Sequence, residues 1–281
     1  MKKVILLTGC INPNGMSFTQ LNNPCERQKQ YIDAIHFYLS KTTCKIVFCE
    51  NSNTDIKPYI KNAQDRLEIL TFSGNQNKQR GKGYGEAEII EYALHHSTFI
   101  QDNIIIIKIT GRLIINNILQ LLKSIRYKHD FVTCLFHSDL KFADSRIFCG
   151  TISFFKELLK NKNKMDDEQG VFFEHILAST VLDSSVCFLP FSEEPCITGF
   201  SGTTGKLYQA STPSIKKNIL YRWYSWIQYK KVYQYSSHRN INILKKTTIH
   251  LHIIIYKLLS ETIRLSFCHN AHIMEKYNQN H

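Results

Sequence analysis

The sequence predicts an α/β fold, a mainly parallel sheet flanked by helices, with a basic helical extension at its C-terminal end. Through the first half of the chain, short apolar runs alternate with segments whose apolar residues recur at helical spacing. Polar clusters follow several of those runs, where open α/β sheets hold their ligands. Charge is also uneven: residues 211–281 carry eleven lysines and arginines against Glu261 and Glu275, while the rest of the chain is close to neutral.

Val4 to Leu7 reads as the first strand and ends at Thr8-Gly9. From Arg27 to Leu39, the apolar positions Tyr31, Ala34, Ile35, Tyr38 and Leu39 mark a helix. Lys45 to Cys49 is a second strand ending at Glu50-Asn51-Ser52, and Leu67 to Phe72 a third. Ala87 to His95 reads as a helix, and the β-branched run Asn103 to Ile109 as a strand closed by Thr110-Gly111-Arg112. Phe131 to Phe136 and Arg146 to Thr151 add two more strands, followed by a helix from Ser153 to Leu159. Val171 to Leu182 is expected to be helical, Val186 to Leu189 a short strand, and Ser192 to Leu207 a loop rich in Gly, Ser and Thr. The remainder is expected to be helical, with Leu251, Ile254, Ile255, Leu258, Leu259, Ile263 and Phe267 on one face. The expected division is a domain over 1–210 and an amphipathic extension over 211–281.

Composition bounds the function. The 281 residues are 43% hydrophobic and carry a net charge of +12, the profile of a globular chain with a polyanionic partner. The apolar run after Lys2-Lys3 is too short for a signal peptide, and the runs at Ile104 to Ile107 and Ile253 to Ile255 are too short to cross a bilayer. Nine dispersed cysteines without a CxxC pair read as reduced thiols in a cytoplasmic protein.

The chemistry concentrates at Arg80-Gly81-Lys82-Gly83-Tyr84-Gly85-Glu86. Three glycines, two cations and a following helix suit either a phosphate cradle or a plain turn. Lys82 shares the inferred sheet edge with Lys108 and Arg112, and an arginine fork beside lysines suits a diphosphate. The Walker pattern and the dinucleotide fingerprint opening the first helix are both absent.

Leu-Leu-Thr-Gly-Cys-Ile, Asn-Pro-Cys-Glu-Arg-Gln-Lys-Gln-Tyr, Phe-Cys-Glu-Asn-Ser, Gly-Lys-Gly-Tyr-Gly-Glu, Lys-Ile-Thr-Gly-Arg, Asp-Ser-Arg-Ile-Phe and Asp-Glu-Gln-Gly-Val-Phe-Phe-Glu-His together resemble bacterial glycosyltransferases of capsule and O-antigen (lipopolysaccharide) clusters. The resemblance covers about residues 4 to 208. It implies a GT-A type fold that takes a nucleotide sugar as donor. It would place Thr8 and Gly9 against the nucleoside, Arg27 toward its phosphates, and Glu50 with Asn51 on base or ribose. Lys82, Gly83 and Gly85 would line the donor site, with Arg146 also on the donor side. Lys108, Gly111 and Arg112 would stand where many such enzymes carry Asp-x-Asp for a divalent metal. This chain has no Asp-x-Asp. Cationic side chains would then neutralise the leaving diphosphate in place of Mg²⁺ or Mn²⁺, or Asp144 would serve as a lone metal ligand.

Glycosyl transfer needs a carboxylate near the reacting centre. Glu174, with His175 on the acceptor side, is the first choice, followed by Asp167 and Glu168; Asp144 and Glu86 are further candidates. Asp167 and Glu168 equally suit the first turn of a helix, and Asp144-Ser145-Arg146 a turn with its own salt bridge. Ser201, Gly202 and Lys206 belong to a loop read as a lid over the donor. The basic extension, with Arg222-Trp223-Tyr224-Ser225-Trp226, suits an anionic membrane surface better than nucleic acid. That places the enzyme on the inner face of the cytoplasmic membrane, acting on a lipid-linked glycan. The alternative of another class is a non-catalytic nucleotide or nucleic-acid binding protein with a degenerate α/β fold.

Overall fold

The structure, a computed structural model, describes residues 2–16, 19–60, 64–125, 129–209 and 215–236. The run Lys2–Gly9 forms β1, and the chain then passes through α1 (Pro24–Lys41), β2 (Lys45–Glu50) and β3 (Leu67–Thr71). Next come α2 (Lys82–His96), β4 (Ile104–Thr110), β5 (Ile114–Ile115), α3 (Ile118–Ser124) and β6 (Phe131–Thr133). The second half holds β7 (Ile147–Thr151), α4 (Ile152–Lys160), α5 (Phe173–Asp183), β8 (Cys187–Phe188), β9 (Ile197–Phe200), β10 (Leu207–Tyr208) and α6 (Ile215–Tyr235).

A seven-stranded sheet in the order β3-β2-β1-β4-β7-β6-β8 forms the centre. β3, β2, β1 and β4 run parallel, in a register that pairs Thr8 with both Cys49 and Thr110. β7 reverses direction against β4 and β6, and β8 returns parallel to β6. The sheet is therefore mainly parallel and covered by helices on both faces, the α/β arrangement expected.

Strand alternation explains the two cores. Val4 and Leu6 of β1 face Tyr84, Ala87 and Ile90 of α2 and the buried phenylalanines of α4 and α5. Ile5 and Leu7 point the other way, toward Tyr31, Ala34, Ile35 and Tyr38 of α1 and Leu121 of α3. Each large apolar side chain so buried contributes roughly 1.5–3 kcal/mol. α1 is begun by Asn23, whose side chain accepts from Cys25 N at 2.9 Å, with Pro24 at the first helical position. Tyr38 fastens its far end: the hydroxyl donates to Leu113 O at 2.9 Å and accepts from Ile115 N at 3.0 Å.

Several expectations are corrected. Helix α2 begins at Lys82 and not at Ala87, because Gly81 at φ +88 turns the chain and the glycines after it enter the helix. The segment 192–207 is not all loop: β9 and β10 form a hairpin that joins β5 in a small antiparallel sheet. β5 and α3 escape a periodicity reading because they are two and seven residues long. Helix α5 starts at Phe173, since Val171 is held in a bridge with Asp166.

Helix α6 packs on the domain: Val232 belongs to the first core and Tyr221 to the second, and Tyr224 OH donates to Phe136 O at 2.7 Å. The predicted apolar face from Leu251 to Phe267 lies outside the described residues. Among the described residues no helix is long and apolar enough to cross a membrane.

Candidate active site

A cavity of about 600 Å³ opens at the carboxyl ends of the parallel strands, lined at one end by Thr8, Gly9, Asn51, Thr110 and Arg112. Gly111 packs behind this end: its amide donates to Thr8 O at 2.8 Å, and a side chain there would meet that same oxygen at 2.7 Å.

A charged network joins the cavity wall, which Thr8, Glu86 and Glu174 line, to a buried lysine behind it. Lys108, in the middle of an isoleucine-rich strand, is fully buried and forms an ion pair with Glu86 of α2. Its ammonium also donates to Ser145 O at 2.6 Å. Glu86 accepts from the Thr8 hydroxyl at 3.0 Å, and the Ser145 hydroxyl donates to Glu174 at 2.6 Å. Strand, helix α2, the loop before β7 and α5 thus meet on one buried cation. Burial raises the Glu174 carboxyl above the usual carboxylate range, with the Ser145 hydrogen bond opposing and the Glu86 charge reinforcing the shift.

At the N-terminus of α2 an anion is already present. Asp167 arrives from the segment before α5 and accepts from the amides of Lys82 at 2.8 Å and Gly83 at 3.3 Å. Burial pushes its carboxyl up while those two hydrogen bonds pull it down. Asp167 therefore belongs to the first turn of α2, not of α5, the helix closer to it in sequence. The glycine stretch serves this contact, because a side chain at Gly81 would collide with Asp167. The Lys82 ammonium extends past this cap to Thr203 Oγ at 2.7 Å, and burial lowers its pKa.

The β9–β10 turn covers the cavity. Arg112 donates to Phe200 O at 2.8 Å, and Gly202 O accepts from Gln20 N at 3.0 Å. Arg112 is nine-tenths buried, and its Nε has no hydrogen-bond partner. A buried guanidinium nitrogen without a partner is costly unless a ligand completes it. On the opposite wall, Arg146 grips both oxygens of Asp144, at 2.9 Å from Nε and 2.6 Å from Nη2, and lies 4.8 Å over the Tyr208 ring.

The cavity thus brings together Thr8, Gly9, Arg27, Asn51, Lys82, Gly83, Gly85, Arg112, Asp144, Arg146, Asp167, Glu174, Ser201 and Gly202. Glu50, Lys108, Gly111, Glu168, His175 and Lys206 are not in its lining. Glu50 is buried beside it and holds the next turn, accepting from Ser52 N at 2.9 Å and from the Ser52 hydroxyl at 2.6 Å. Arg27 is turned onto the loop after β1, donating to Cys10 O at 2.7 Å and Leu21 O at 2.9 Å. Asn51 donates to Asn75 at 2.8 Å and leaves its own buried carbonyl oxygen without a partner. Glu168 and Lys206 are exposed.

Among the described residues no group of three or more His, Cys, Asp or Glu is placed to hold a metal ion. Asp144, the lone candidate ligand, has both oxygens engaged by Arg146. The described residues do not fit a divalent ion.

The sequence reading missed the part played by Ser145 in the network, and it missed Thr203, Tyr208, His137, Phe142, Phe172 and Phe200 in the cavity lining. A lysine within Ile104–Thr110 was the one legible signal of the network, because a buried lysine demands a carboxylate.

Fold and site together define an α/β domain with a cavity of mixed charged and apolar lining at the carboxyl edge of its parallel strands. No protein-family model matches the sequence, and no curated protein matches it. Solved structures similar in shape include the galactosyltransferase LgtC in complex with donor and acceptor sugar analogues, at 9% identity and a TM-score of 0.39, covering 67% of this chain and 73% of that one. They also include the glycosyltransferase GlyE of Streptococcus pneumoniae TIGR4, at 10% identity and a TM-score of 0.42, covering 68% of this chain and 45% of that one. A third is CMP:2-keto-3-deoxy-manno-octonic acid synthetase complexed with CTP, at 11% identity and a TM-score of 0.33, covering 68% of this chain and 89% of that one. Glycosyltransferases are thus among the solved structures of similar shape.

Proposed function

We propose that the chain is a glycosyltransferase that moves a sugar from a nucleotide-sugar donor to a glycan acceptor. One observation carries the reading: the incompletely bonded guanidinium of Arg112 and the Lys82 ammonium line the same cavity as the buried carboxyl of Glu174. Cations suit a departing diphosphate, and a carboxylate suits the attacking hydroxyl. In this scheme the acceptor oxygen bonds to the anomeric carbon as its proton passes to Glu174. The bond from that carbon to the diphosphate breaks, and the charge left on the terminal phosphate meets Arg112 and Lys82. Lys108, behind the lining, pairs with Glu86 of the cavity wall instead of touching phosphate.

The finer reading is surface polysaccharide assembly on a lipid-linked acceptor, at the inner face of the cytoplasmic membrane. Its supports are the sequence resemblance, the basic extension, and the exposure of Ile219, Arg222 and Trp226 on α6. Binding to anionic liposomes by the full chain, lost when the chain ends near Leu207, is the expected result; equal binding by both removes the membrane role.

The activity is tested by incubating a panel of UDP-, GDP-, CMP- and TDP-sugars with the protein and measuring nucleotide release, with excess chelator in parallel. Release from at least one donor, persisting with chelator, is expected. Nucleotide binding without any turnover favours the non-catalytic alternative.

A further inference from the structure

Most phenylalanines of the domain are buried, but Phe172 is 37% exposed and lines the cavity two residues before Glu174. Its position is set firmly. The Phe172 amide donates to His175 Nδ1 at 3.2 Å, and the two rings stack with centroids 5.4 Å apart and an interplanar angle of 26°. Phe142 meets the other part of that assembly edge-on, at 5.4 Å and 87° from His175, and His137 leans on Phe142 at 4.6 Å. Four rings from two segments therefore form one contiguous aromatic cluster. Phe172, Phe142 and His137 face the cavity, and His175 supports them without lining it.

An exposed aromatic surface built this way, beside a carboxyl raised by burial, calls for a ligand with one apolar face and one polar edge. Gly9 and Asn51, which the sequence resemblance would put against the nucleoside, follow β1 and β2 at another part of the lining, and the cations are drawn toward the β9–β10 turn. A pyranose ring has the required chemistry: its axial C–H bonds cover an aromatic face while its hydroxyls point outward. We propose that Phe172, with Phe142 and His137 and backed by His175, is the acceptor subsite, taking the C–H face of a pyranose whose hydroxyl is thereby presented to Glu174. This rests on the glycosyltransferase reading and adds the acceptor's class and seat.

The probe is a panel of methyl α- and β-hexopyranosides followed by saturation-transfer NMR against the full chain, with UDP and with GDP present. At least one glycoside is expected to receive saturation mainly at the protons of one ring face. Phe172→Ala should weaken its binding about five- to tenfold, the range of a lost aromatic contact, whereas Phe172→Trp retains it. Nucleotide affinity should be unchanged in both variants, which also shows that they fold. Absence of glycoside binding across the panel, or binding indifferent to Phe172→Ala, overturns the subsite while leaving the transferase reading intact. A drop in nucleotide affinity with Phe172→Ala also overturns it, because the ring would then serve the donor. Failure of every nucleotide sugar to turn over is a separate outcome, and removes the reading on which the subsite rests.

Discussion

The N-terminus of α2 and the side chain of Arg112 both present N–H donors to one cavity, and they differ in what already occupies them. The α2 amides hold the Asp167 carboxylate, an anion supplied from within the chain. Arg112 holds a neutral carbonyl and leaves Nε without a partner. Satisfied donors stabilise the fold, whereas a buried donor left unsatisfied is costly, and a ligand bound beside it is one way to offset that cost. The lesson extends to Lys108 and Lys82: the first is fully buried and paired with a carboxylate, the second reaches a hydroxyl on the covering turn.

The largest effect that separates the two kinds of cation belongs to Lys108. Replacing it in Lys108→Met leaves Glu86 without its partner in a largely buried place, and a loss of about 3–5 kcal/mol in urea unfolding is expected. Adding Glu86→Gln should restore at least half of the loss. A loss below about 1 kcal/mol in the single variant would mean that Lys108 is not a structural charge.

Glu174→Gln is next. It should lower kcat by roughly 100-fold or more while nucleotide affinity stays within about twofold, if the carboxylate acts on the acceptor hydroxyl as proposed. Equal losses in both quantities would move Glu174 to the donor side.

The comparison itself is tested by Asp167→Ala beside Arg112→Ala. The first should cost about 1–2 kcal/mol of stability as a lost helix cap, with little change in UDP or GDP affinity. The second should weaken nucleotide binding about tenfold or more and cost roughly 1 kcal/mol of stability. The reverse pattern would show that the phosphates sit at α2 after all.

The smallest expected effect is a pH shift. Since burial raises Glu174 in the folded chain, its stability contribution is full below the unfolded glutamate value of about 4.3 and is lost as pH rises through the folded one. Activity needs the ionised form, so the acid limb of kcat should lie above the ordinary glutamate range. Ser145→Ala removes a hydrogen bond to that ionised form and should move the limb upward by less than about one unit; Ser145→Thr should return it. A downward shift would mean that Ser145 stabilises the protonated acid.

Much of the fold was legible because it obeys period. The isoleucines of β4 and the spacing of Tyr31, Ala34, Ile35 and Tyr38 in α1 reflect burial on a strand and on a helix face. The site was legible only in part. Gly83 and Gly85 suggest a loop, yet they are helical and buried. Their lack of side chains answers to Asp167 and Phe173 against Gly83, and to Asn51 and Asn75 against Gly85, contacts that no local window contains. The pairings of Lys108 with Glu86 and of Ser145 with Glu174 span 22 and 29 residues, and a sequence names the charge but not which partner the topology will deliver. The aromatic surface was missed for another reason: Phe142 and Phe172 look like core residues until their exposure to the cavity is seen.

The cap on α2 also bears on how the chain comes to be folded. Lys82 leaves the ribosome 85 residues before the aspartate that closes its helix, and Lys108 emerges 37 residues before the carbonyl of Ser145 that it bonds. During synthesis, β1 to β4 can pair early, but α2 keeps an open end and Lys108 an incomplete shell until the second half arrives. Contacts of such sequence separation slow folding. A nascent chain stalled before residue 167 should therefore hold a protease-sensitive α2 beside an already protected parallel sheet.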